Sequence, residues 1–315
     1  MRAILKMTPL FNERYLNQVK LLVQVLPLVA EQKCFALKGG TAINLFLRDM
    51  PRLSVDIDLM YLPVNDRLTA ITEMENALKD IKKRILQIYP DIEVLENITQ
   101  KGRLLSKLLV KQKYTQVIIE PNFILRGTLH PAKPYNLTQK AGRLLNMSVS
   151  NMPLLYPAEV YAGKCCAALD RQHPRDLFDI KMLYENDGLT KEIRQAFVVY
   201  LACAPRPMHE LLDPNILDMQ TTFQEELLGM TDIEVTYDQL LAIRTQLIND
   251  MRTLMTDKER QFLLSLKQGA PDYTLMPFKN LEQLPALQWK LVNIRKMGNT
   301  KHQQMVDKLK EVLNS

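Results

Sequence analysis

The chain has 315 residues, of which 47% are hydrophobic and 24% are charged. This composition supports a packed core and excludes a disordered chain. The length allows one large domain but fits two domains of ordinary size better. Only 10 residues are glycine and 7% are aromatic. Together with long stretches rich in Leu, Ala, Lys and Glu, this favours helix over an all-β architecture.

The formal net charge is +6. A basic balance suits a polyanionic partner such as nucleic acid or a nucleotide, although ordinary solubility explains it equally well. The cysteines, Cys34, Cys165, Cys166 and Cys203, contain no CxxC pair, which predicts free thiols in a reducing compartment. The first residues lack the pattern of a secretion signal, and no apolar run approaches the ~20 residues of a membrane span. We therefore expect a cytoplasmic protein with no membrane partner.

The first 61 residues predict alternating helices and strands. In chain order they are a helix at 12–32, a strand at 34–37, a helix at 41–49 and a strand at 54–61. Gly39 and Gly40 end the first strand, and Thr41 is a plausible N-cap of the second helix.

Residues 66–125 continue with one helix and three strands. They are an amphipathic helix at 66–88 and strand-like stretches at 92–98, 104–114 and 116–125. A strand, helix, strand, helix order followed by a meander predicts an α/β unit that ends in a mixed or antiparallel sheet.

Strand signals stop near residue 150, and the remainder predicts a helical domain. The expected helices lie at 157–169, 177–185, 190–203, 236–254, 257–268, 282–296 and 300–313. Prolines cluster between residues 131 and 157, where a boundary is expected. We predict a first domain at 1–145 and a helical domain at 146–315.

Two aspartates, Asp56 and Asp58, lie two residues apart on the second strand and therefore point to the same face. Ser54 shares that face. Adjacent carboxylates repel each other at neutral pH, and a divalent cation such as Mg²⁺ would relieve the repulsion. Taken alone, the pair is explained equally by the polar edge of a half-buried strand.

The neighbouring glycines, Gly39 and Gly40, join a strand to a helix. Glycine lets backbone amides approach a ligand, and a helix N-terminus favours anions, so this turn can hold a phosphate. A tight turn that needs a positive φ is the alternative. The glycines and aspartates lie about twenty residues apart, so the combination indicates one site for a Mg²⁺-bridged triphosphate.

A third carboxylate would complete a two-metal site. Glu120 is the single acid in the apolar stretch "QVIIEPNF" and could face Asp56 and Asp58 from a neighbouring strand. The alternative is an exposed strand end before Pro121.

The segment "EVYAGKCCAALDRQHPRDLFDI" carries further charges. Lys164 lies in an apolar helix face, where a lysine either extends to solvent or meets an anion. Asp176 and Asp179 lie on one helix face, although Asp176 could also be a helix-capping acid. His173 is expected to be a loop residue, because the histidines show no metal-ligand spacing.

A basic stretch, "KGRLLSKLLVKQK", contains no acid. If it is a strand, four of its cations share one face and suit an RNA backbone, while a solvated strand face is the alternative. These four are Arg103, Lys107, Lys111 and Lys113, and Lys101 precedes them.

Together these motifs resemble the AbiEii/AbiGii nucleotidyltransferase toxins of the DNA polymerase β-like nucleotidyltransferase superfamily. "GGTAINL" at 39–45 is similar to the family's glycine turn and helix, and "RLSVDID" at 52–58 to its R-x-S-x-D-x-D strand. Lys164 and "RDLFD" at 175–179 are similar to its helical lysine and R-D-L-[YF]-D segment. The tail at 256–297 also looks like the family's, so the resemblance spans most of the chain.

The resemblance implies an α+β fold: an N-terminal polymerase β-like domain, with a mixed sheet and flanking helices, and a C-terminal helical domain. It implies that Asp56 and Asp58 bind Mg²⁺, that Lys164 contacts the nucleotide phosphates, and that Asp176 is a further essential acid. The nucleotide-binding residues would be Lys38, Gly39, Gly40, Thr41, Arg52 and Ser54.

The implied reaction is transfer of a nucleoside monophosphate from an NTP to an acceptor hydroxyl. Relatives act as toxins, some by extending the 3′ end of tRNA, and their genes usually pair with an antitoxin that is often a DNA-binding regulator. We therefore expect a Mg²⁺-dependent toxin of a toxin–antitoxin or abortive-infection system that acts on RNA, with the tRNA 3′ end as the expected acceptor. A protein hydroxyl as acceptor, or a non-catalytic nucleotide- or RNA-binding module, are the alternatives.

Overall fold

The computed structural model describes residues 11–99 and 104–314. Its centre is a mixed sheet whose strands run in the order β3-β4-β5-β2-β1-β7-β6. The strands are β1 (Phe35–Lys38), β2 (Asp56–Tyr61), β3 (Glu93–Ile98), β4 (Leu105–Gln112), β5 (Thr115–Asn122), β6 (Lys133–Tyr135) and β7 (Met152–Leu154). The predicted combination of a mixed sheet, flanking helices and a helical C-terminal half is confirmed.

The longer helices follow the predicted apolar stripes closely. They are α1 (Glu13–Ala30), α2 (Gly39–Ala42), α3 (Arg67–Ile88), α4 (Gln139–Leu145), α5 (Pro157–Arg171), α6 (Pro174–Asn186), α7 (Lys191–Cys203), α8 (Met208–Leu212), α9 (Gln220–Glu226), α10 (Tyr237–Thr253), α11 (Asp257–Lys267), α12 (Pro285–Arg295) and α13 (Asn299–Asn314). None of the helices in the described ranges is long and apolar enough to cross a membrane. All four cysteines are free thiols, as predicted.

The two faces of the sheet have different roles. Helices α1 and α3 contact the strands of one face, where alternate residues such as Ile57 and Ile119 are buried in the core. The residues between them in sequence, including Asp56, Asp58 and Glu120, point to the opposite face. Apolar burial, worth about 25 cal/mol per Å², thus fixes which face carries the acids.

The last strand ends at Leu154, close to the expected end near residue 150, but strands β6 and β7 were not predicted. Strand β7 pairs in parallel with β1 and antiparallel with β6. Strands β6 and β7 each have three residues and contain a proline, so neither shows the alternation that identifies a strand in sequence. The short helices α4, α8 and α9 were missed for the same reason, because five to seven residues carry too few helical repeats.

The second helix differs from its prediction at both ends. It begins at Gly39 and continues into a π-helix at Ile43–Leu47, so Thr41 lies inside it and is not the N-cap. The wider turn ends with Arg48 N–H donating to the Ile43 carbonyl at 2.7 Å. Single π-turns inside helices occur frequently at functional sites.

The basic strand is shorter than predicted. Lys113 has a φ of 54° and forms the hairpin turn with Tyr114, so it does not share the strand face with Lys107 and Lys111. Lys101 and Arg103 lie outside the described residues.

A buried ion pair joins the segment between α2 and β2 to the helical half. Arg52 donates from Nε and Nη2 to the two carboxylate oxygens of Asp179 on α6, at 2.8 and 2.6 Å. The side chains are 3% and 0% exposed. Asn44, from the π-helix, donates to the same carboxylate at 3.0 Å. The pair therefore fixes how α6 docks beside the sheet.

Removing one partner of this pair should destabilise the protein strongly. Arg52→Met leaves the buried Asp179 with fewer cations, and we expect a loss of about 3–5 kcal/mol in the free energy of unfolding. Urea unfolding followed by circular dichroism measures it. Arg84→Met is the matched control, because Arg84 pairs with Glu31 at the exposed surface and its loss should barely change the midpoint. Equal midpoints for the two variants would contradict this role of Arg52.

Candidate active site

The two aspartates of β2 form the acidic side of the site. Asp56 and Asp58 are half-buried on one face, and Glu120 of β5 lies directly beside Asp58 in the parallel register. Burial is the main cause that raises the pKa of Asp56 above its ordinary value, and the negative charge of Asp58 raises it further. The carboxylates therefore repel each other in the free protein, and a bound cation would relieve that repulsion.

The donor chemistry of this pair fits a hard divalent cation. Mg²⁺ is commonly held by one or two protein carboxylates, with water and substrate phosphates completing its shell. In the part of the chain that the structure describes, however, no group of three acids, histidines or cysteines is arranged to hold a metal. Glu120 is half-exposed and lies 3.6 Å from Nζ of Lys107. Its role as a third ligand stays a prediction.

The neighbours of Gly39 and Gly40 leave no space for a side chain at either position. Gly39 has a φ of 72°, and a Cβ there would lie 2.4 Å from Oδ2 of Asp58. A Cβ on Gly40 would lie 2.8 Å from both Nη2 of Arg52 and Oγ of Ser54. The turn thus packs closely against the DxD strand, and Gly39 gives the Asp58 carboxylate its space.

Thr41 stabilises this arrangement from behind. Its hydroxyl is fully buried, donates to the Asp56 carbonyl at 2.5 Å and lies 3.0 Å from Oγ of Ser54. The side chain thereby links α2 to the start of β2. Its part in holding a triphosphate stays a prediction.

A buried charge cluster forms the basic side of the site. Nζ of Lys164, on α5, lies 2.8 Å from Oδ1 of Asp176 and 2.9 Å from Oδ2 of Asp179, both on α6. Burial opposes the lysine charge, but the two carboxylates outweigh it and raise the pKa of Lys164 above its ordinary value. Burial likewise opposes the charge of Asp176, and Lys164 followed by Arg171 holds the pKa of that carboxyl well below its usual range.

Arg171 belongs to this cluster, although no sequence motif singles it out. It donates to the two oxygens of Asp176 at 2.6 and 3.0 Å, and its side chain remains 63% exposed. Asp179 pairs with Arg52 and Lys164, whereas the sequence showed only that it shares a helix face with Asp176 and belongs to "RDLFD". That shared face could also have indicated nearby cations such as Arg171, since two buried carboxylates require them.

His173 lies outside the helices, as expected, and it has a structural role there. It is the N-cap of α6, where its Nδ1 accepts a hydrogen bond from the backbone N–H of Arg175 at 3.1 Å. It also contacts Glu226 at 3.0 Å, which holds α9 against the start of α6.

A cleft of about 380 Å³ separates the sheet from α5 and α7. Lys38, Gly39 and Asp58 line it on the sheet side, and Lys164 and Arg171 line it on α5. These are the residues the fold brings together around one space. Among the predicted site residues, those that do not line the cleft are Gly40, Thr41, Arg52, Ser54, Asp56, Glu120 and Asp176. Asp56 and Glu120 lie beside Asp58 on the same face of the sheet, and the buried ones support the lining residues from behind.

The floor of the cleft contains a buried acid, Glu159. It accepts hydrogen bonds from the backbone N–H groups of Leu129 and His130, each at 2.9 Å, and from the Tyr200 hydroxyl at 3.1 Å. Burial raises the pKa of Glu159 to about 7 despite these donors. The carboxyl therefore joins α5 to the loop between β5 and β6 and to α7 at the lining of the cleft.

Most of the chain matches a known protein family. Residues 20–293 match the model of the nucleotidyl transferase AbiEii toxin family, of type IV toxin–antitoxin systems. The chain belongs to this family. It is thus a nucleotidyltransferase toxin of a type IV system, which confirms the family resemblance of the motifs. No curated protein matches the chain.

A solved structure shows the same fold. MenT4, a nucleotidyltransferase toxin from Mycobacterium tuberculosis, overlaps with a TM-score of 0.58 at 15% identity, over 88% of this chain and 93% of that chain. At this identity the overlap concerns the fold alone. Terminal uridylyl transferase 4 from Trypanosoma brucei overlaps less well, with a TM-score of 0.30 at 13% identity, over 96% of this chain and 93% of that chain.

Gly39→Ala should lower activity far more than stability. The new Cβ would displace the Asp58 carboxylate and require a positive φ that alanine adopts at a cost of about 1–3 kcal/mol. We expect thermal unfolding to show this modest loss and NTP-dependent label transfer to fall at least tenfold.

Gly188→Ala is the matched control for this variant. Gly188 has a φ of 69°, and a Cβ there would meet no atom within 4 Å, so this variant carries the backbone strain without the collision. Unchanged transfer by Gly39→Ala would contradict the role given to the turn.

Proposed function

We propose that this toxin transfers a nucleoside monophosphate from an NTP to an RNA hydroxyl in a Mg²⁺-dependent reaction, with the 3′ end of tRNA as acceptor. The observation that carries the proposal is the division of charge across one cleft. The carboxylate of Asp58 lines the sheet side, with Asp56 two residues before it on the same face of β2, and Lys164 and Arg171 line the cleft from α5. A metal-bridged triphosphate needs both halves, since its metal binds carboxylates and its oxygens bind cations.

The triphosphate would be held mainly by the cations of the cleft. Lys38 lies opposite Asp58 in the antiparallel register of β1 and β2, at the start of the glycine turn. Lys164 and Arg171 face it across the cleft, positioned by Asp176. Because Asp176 engages both cations, its charge fixes their orientation without reaching the cleft itself.

In the reaction, the acceptor hydroxyl would lose its proton to solvent, its oxygen would form a bond to the α-phosphorus, and the bond from that phosphorus to the bridging oxygen of pyrophosphate would break. Asp56 and Asp58 would hold the metal beside this centre. When bound there, Mg²⁺ would lower the pKa of the attacking hydroxyl and stabilise the charge of the leaving group. The cations on α5 stabilise the same leaving charge through fixed hydrogen-bond donors.

The open face of the sheet supports RNA as the acceptor. On this face, Asp58 of β2 lies beside Glu120 of β5, which lies beside Lys107 of β4. Lys111 lies further along β4 on the same face. This face leads from the DxD pair to the outer strands, where Leu95 is 39% exposed. A strip of lysines that begins beside the acids suits a phosphate backbone whose end reaches them.

The proposal extends to the setting of the reaction. We expect a cognate antitoxin encoded beside the toxin gene, of the DNA-binding type, and we expect the toxin to act in the cytoplasm. The NTP would be the donor, and the family's type IV system supports the presence of an antitoxin partner.

Asp58→Asn should abolish transfer and toxicity while the fold remains. The experiment incubates the protein with each α-labelled NTP and total cellular RNA, with Mg²⁺ or with EDTA. We expect the unchanged protein to label the tRNA band in Mg²⁺ and not in EDTA. In Mg²⁺, we expect the amount of label to fall at least 100-fold for Asp58→Asn. Label in a protein band instead of RNA would show that the acceptor is a protein hydroxyl. If no label enters any macromolecule and Asp58→Asn stays toxic, the proposed reaction is wrong.

Removing the lysines of the open face should weaken acceptor use alone. For the double variant Lys107→Ala with Lys111→Ala, we expect the KM for RNA to rise about tenfold and its salt dependence to flatten, with the KM for NTP unchanged. Lys79→Ala with Lys83→Ala makes the same charge change on exposed positions of α3 and is the control. Equal RNA KM values in the two double variants would count against this acceptor path.

A further inference from the structure

A second cavity of about 560 Å³ adjoins the cleft. It lies between the loop after β2, the loop after β5 and helix α12, and Ile124 lines both it and the cleft. We call it the α12 groove. The loops approach α12 closely because Gly127 has no side chain: a Cβ there would lie 3.0 Å from Val64 and 3.1 Å from Leu284.

One wall of the groove holds a buried cation without a carboxylate partner. Arg126 is 7% exposed, and in the described parts of the chain no acid lies within ion-pair distance of it. Its Nη1 makes two long hydrogen bonds of 3.4 Å, to the backbone carbonyls of Asn65 and Asp66, and its Nε is buried without a partner. Buried charges in proteins are normally paired, so this guanidinium points to an anionic ligand.

The acid closest to this wall is already engaged. The Asp66 carboxylate accepts from the backbone N–H groups of Leu68 and Thr69, at 2.9 and 3.1 Å, as the N-cap of α3. Arg67 also lines the groove and is exposed. Asp66 lines the groove as well, so two arginines face one carboxylate and the net charge of the lining is positive, which matches a phosphate.

The opposite wall offers an aromatic surface. Trp289, the only tryptophan of the chain, lines the groove from α12 and is 53% exposed. Val292, one turn further along, is 38% exposed. An exposed indole opposite an unpaired arginine is the combination that binds a nucleotide of a single strand, by base stacking and phosphate contact.

We propose that the α12 groove is a subsite for one nucleotide of the single-stranded acceptor end, whose base stacks on Trp289 and whose phosphate meets Arg126. The inference rests on the proposed function, because it assigns the cleft to the donor NTP and the adjoining groove to the acceptor. An apolar protein segment fits the groove less well, since it would leave the buried guanidinium of Arg126 without an anion.

The single tryptophan allows a test that needs no turnover. Intrinsic fluorescence of the full chain carrying Asp58→Asn is titrated with single-stranded oligoribonucleotides, without NTP. We expect saturable quenching of Trp289. We expect Arg126→Met to raise the apparent Kd about tenfold. Because that variant removes a buried side chain, Arg67→Ala, at an exposed position, is measured beside it and should raise the Kd by a smaller factor.

Either of two outcomes overturns the proposal. The first is fluorescence that oligonucleotides leave unchanged; quenching by the purified cognate antitoxin would then assign the groove to that protein. The second is quenching that NTP alone saturates, which would place the donor in the groove. Nucleotide transfer is measured separately, as label incorporated by the active chain. Quenching without any label transfer would retain the groove as an RNA site while the proposed transfer fails.

Kinetics on the active chain distinguish stacking from mere packing. Trp289→Ala should raise the KM for the RNA acceptor about tenfold, with the KM for NTP and the thermal midpoint unchanged. Trp289→Phe, which keeps an aromatic face, should restore most of the affinity. Equal KM values for Trp289→Ala and Trp289→Phe would contradict a stacking role.

Discussion

The buried contact between Lys164 and the two aspartates of α6 is the interaction on which the rest of the site depends. Asp176 and Asp179 lie one turn apart and are at most 1% exposed. They meet cations from three places: Lys164 on α5, Arg171 at the end of α5, and Arg52 from the segment before β2. Removing any one of these charges leaves others buried and uncompensated. The cluster thus sets the positions of both helices against the sheet.

The glycine turn completes this arrangement on the sheet side. Gly39 lies against Asp58, and Gly40 lies against Arg52, so the same four residues join the acidic pair to the basic cluster. Any side chain at either glycine would push these groups apart. The result is a cleft with carboxylates on one wall and oriented cations on the other, which is the charge distribution that a metal-bound nucleotide requires.

Much of this could be predicted from sequence because the signals were local. The spacing of Asp56 and Asp58 on a strand fixes their common face, and long helices such as α3 repeat their apolar stripe several times. Glu120 was expected on a neighbouring strand because it interrupts an apolar run. The register that brings it beside Asp58 is a property of the folded sheet.

Other features depend on tertiary contacts that a sequence pattern does not contain. Strand β7 exists because β1 offers an edge beside it, and its three residues carry no alternation of their own. Thr41 was expected to cap a helix and contact a phosphate, yet its hydroxyl bonds the backbone of Asp56. Arg126 has no motif around it, and its significance comes from the burial and missing counter-charge that folding creates.

The central claim is that the cleft binds a nucleoside triphosphate through a metal held by Asp56 and Asp58. Isothermal titration of the full-length protein with a non-transferable α,β-methylene NTP analogue tests this most directly. The account predicts saturable one-site binding in Mg²⁺, weakened at least tenfold by EDTA or by Asp56→Asn. Binding of equal strength with and without the divalent cation, or no binding of any of the four analogues, would contradict it.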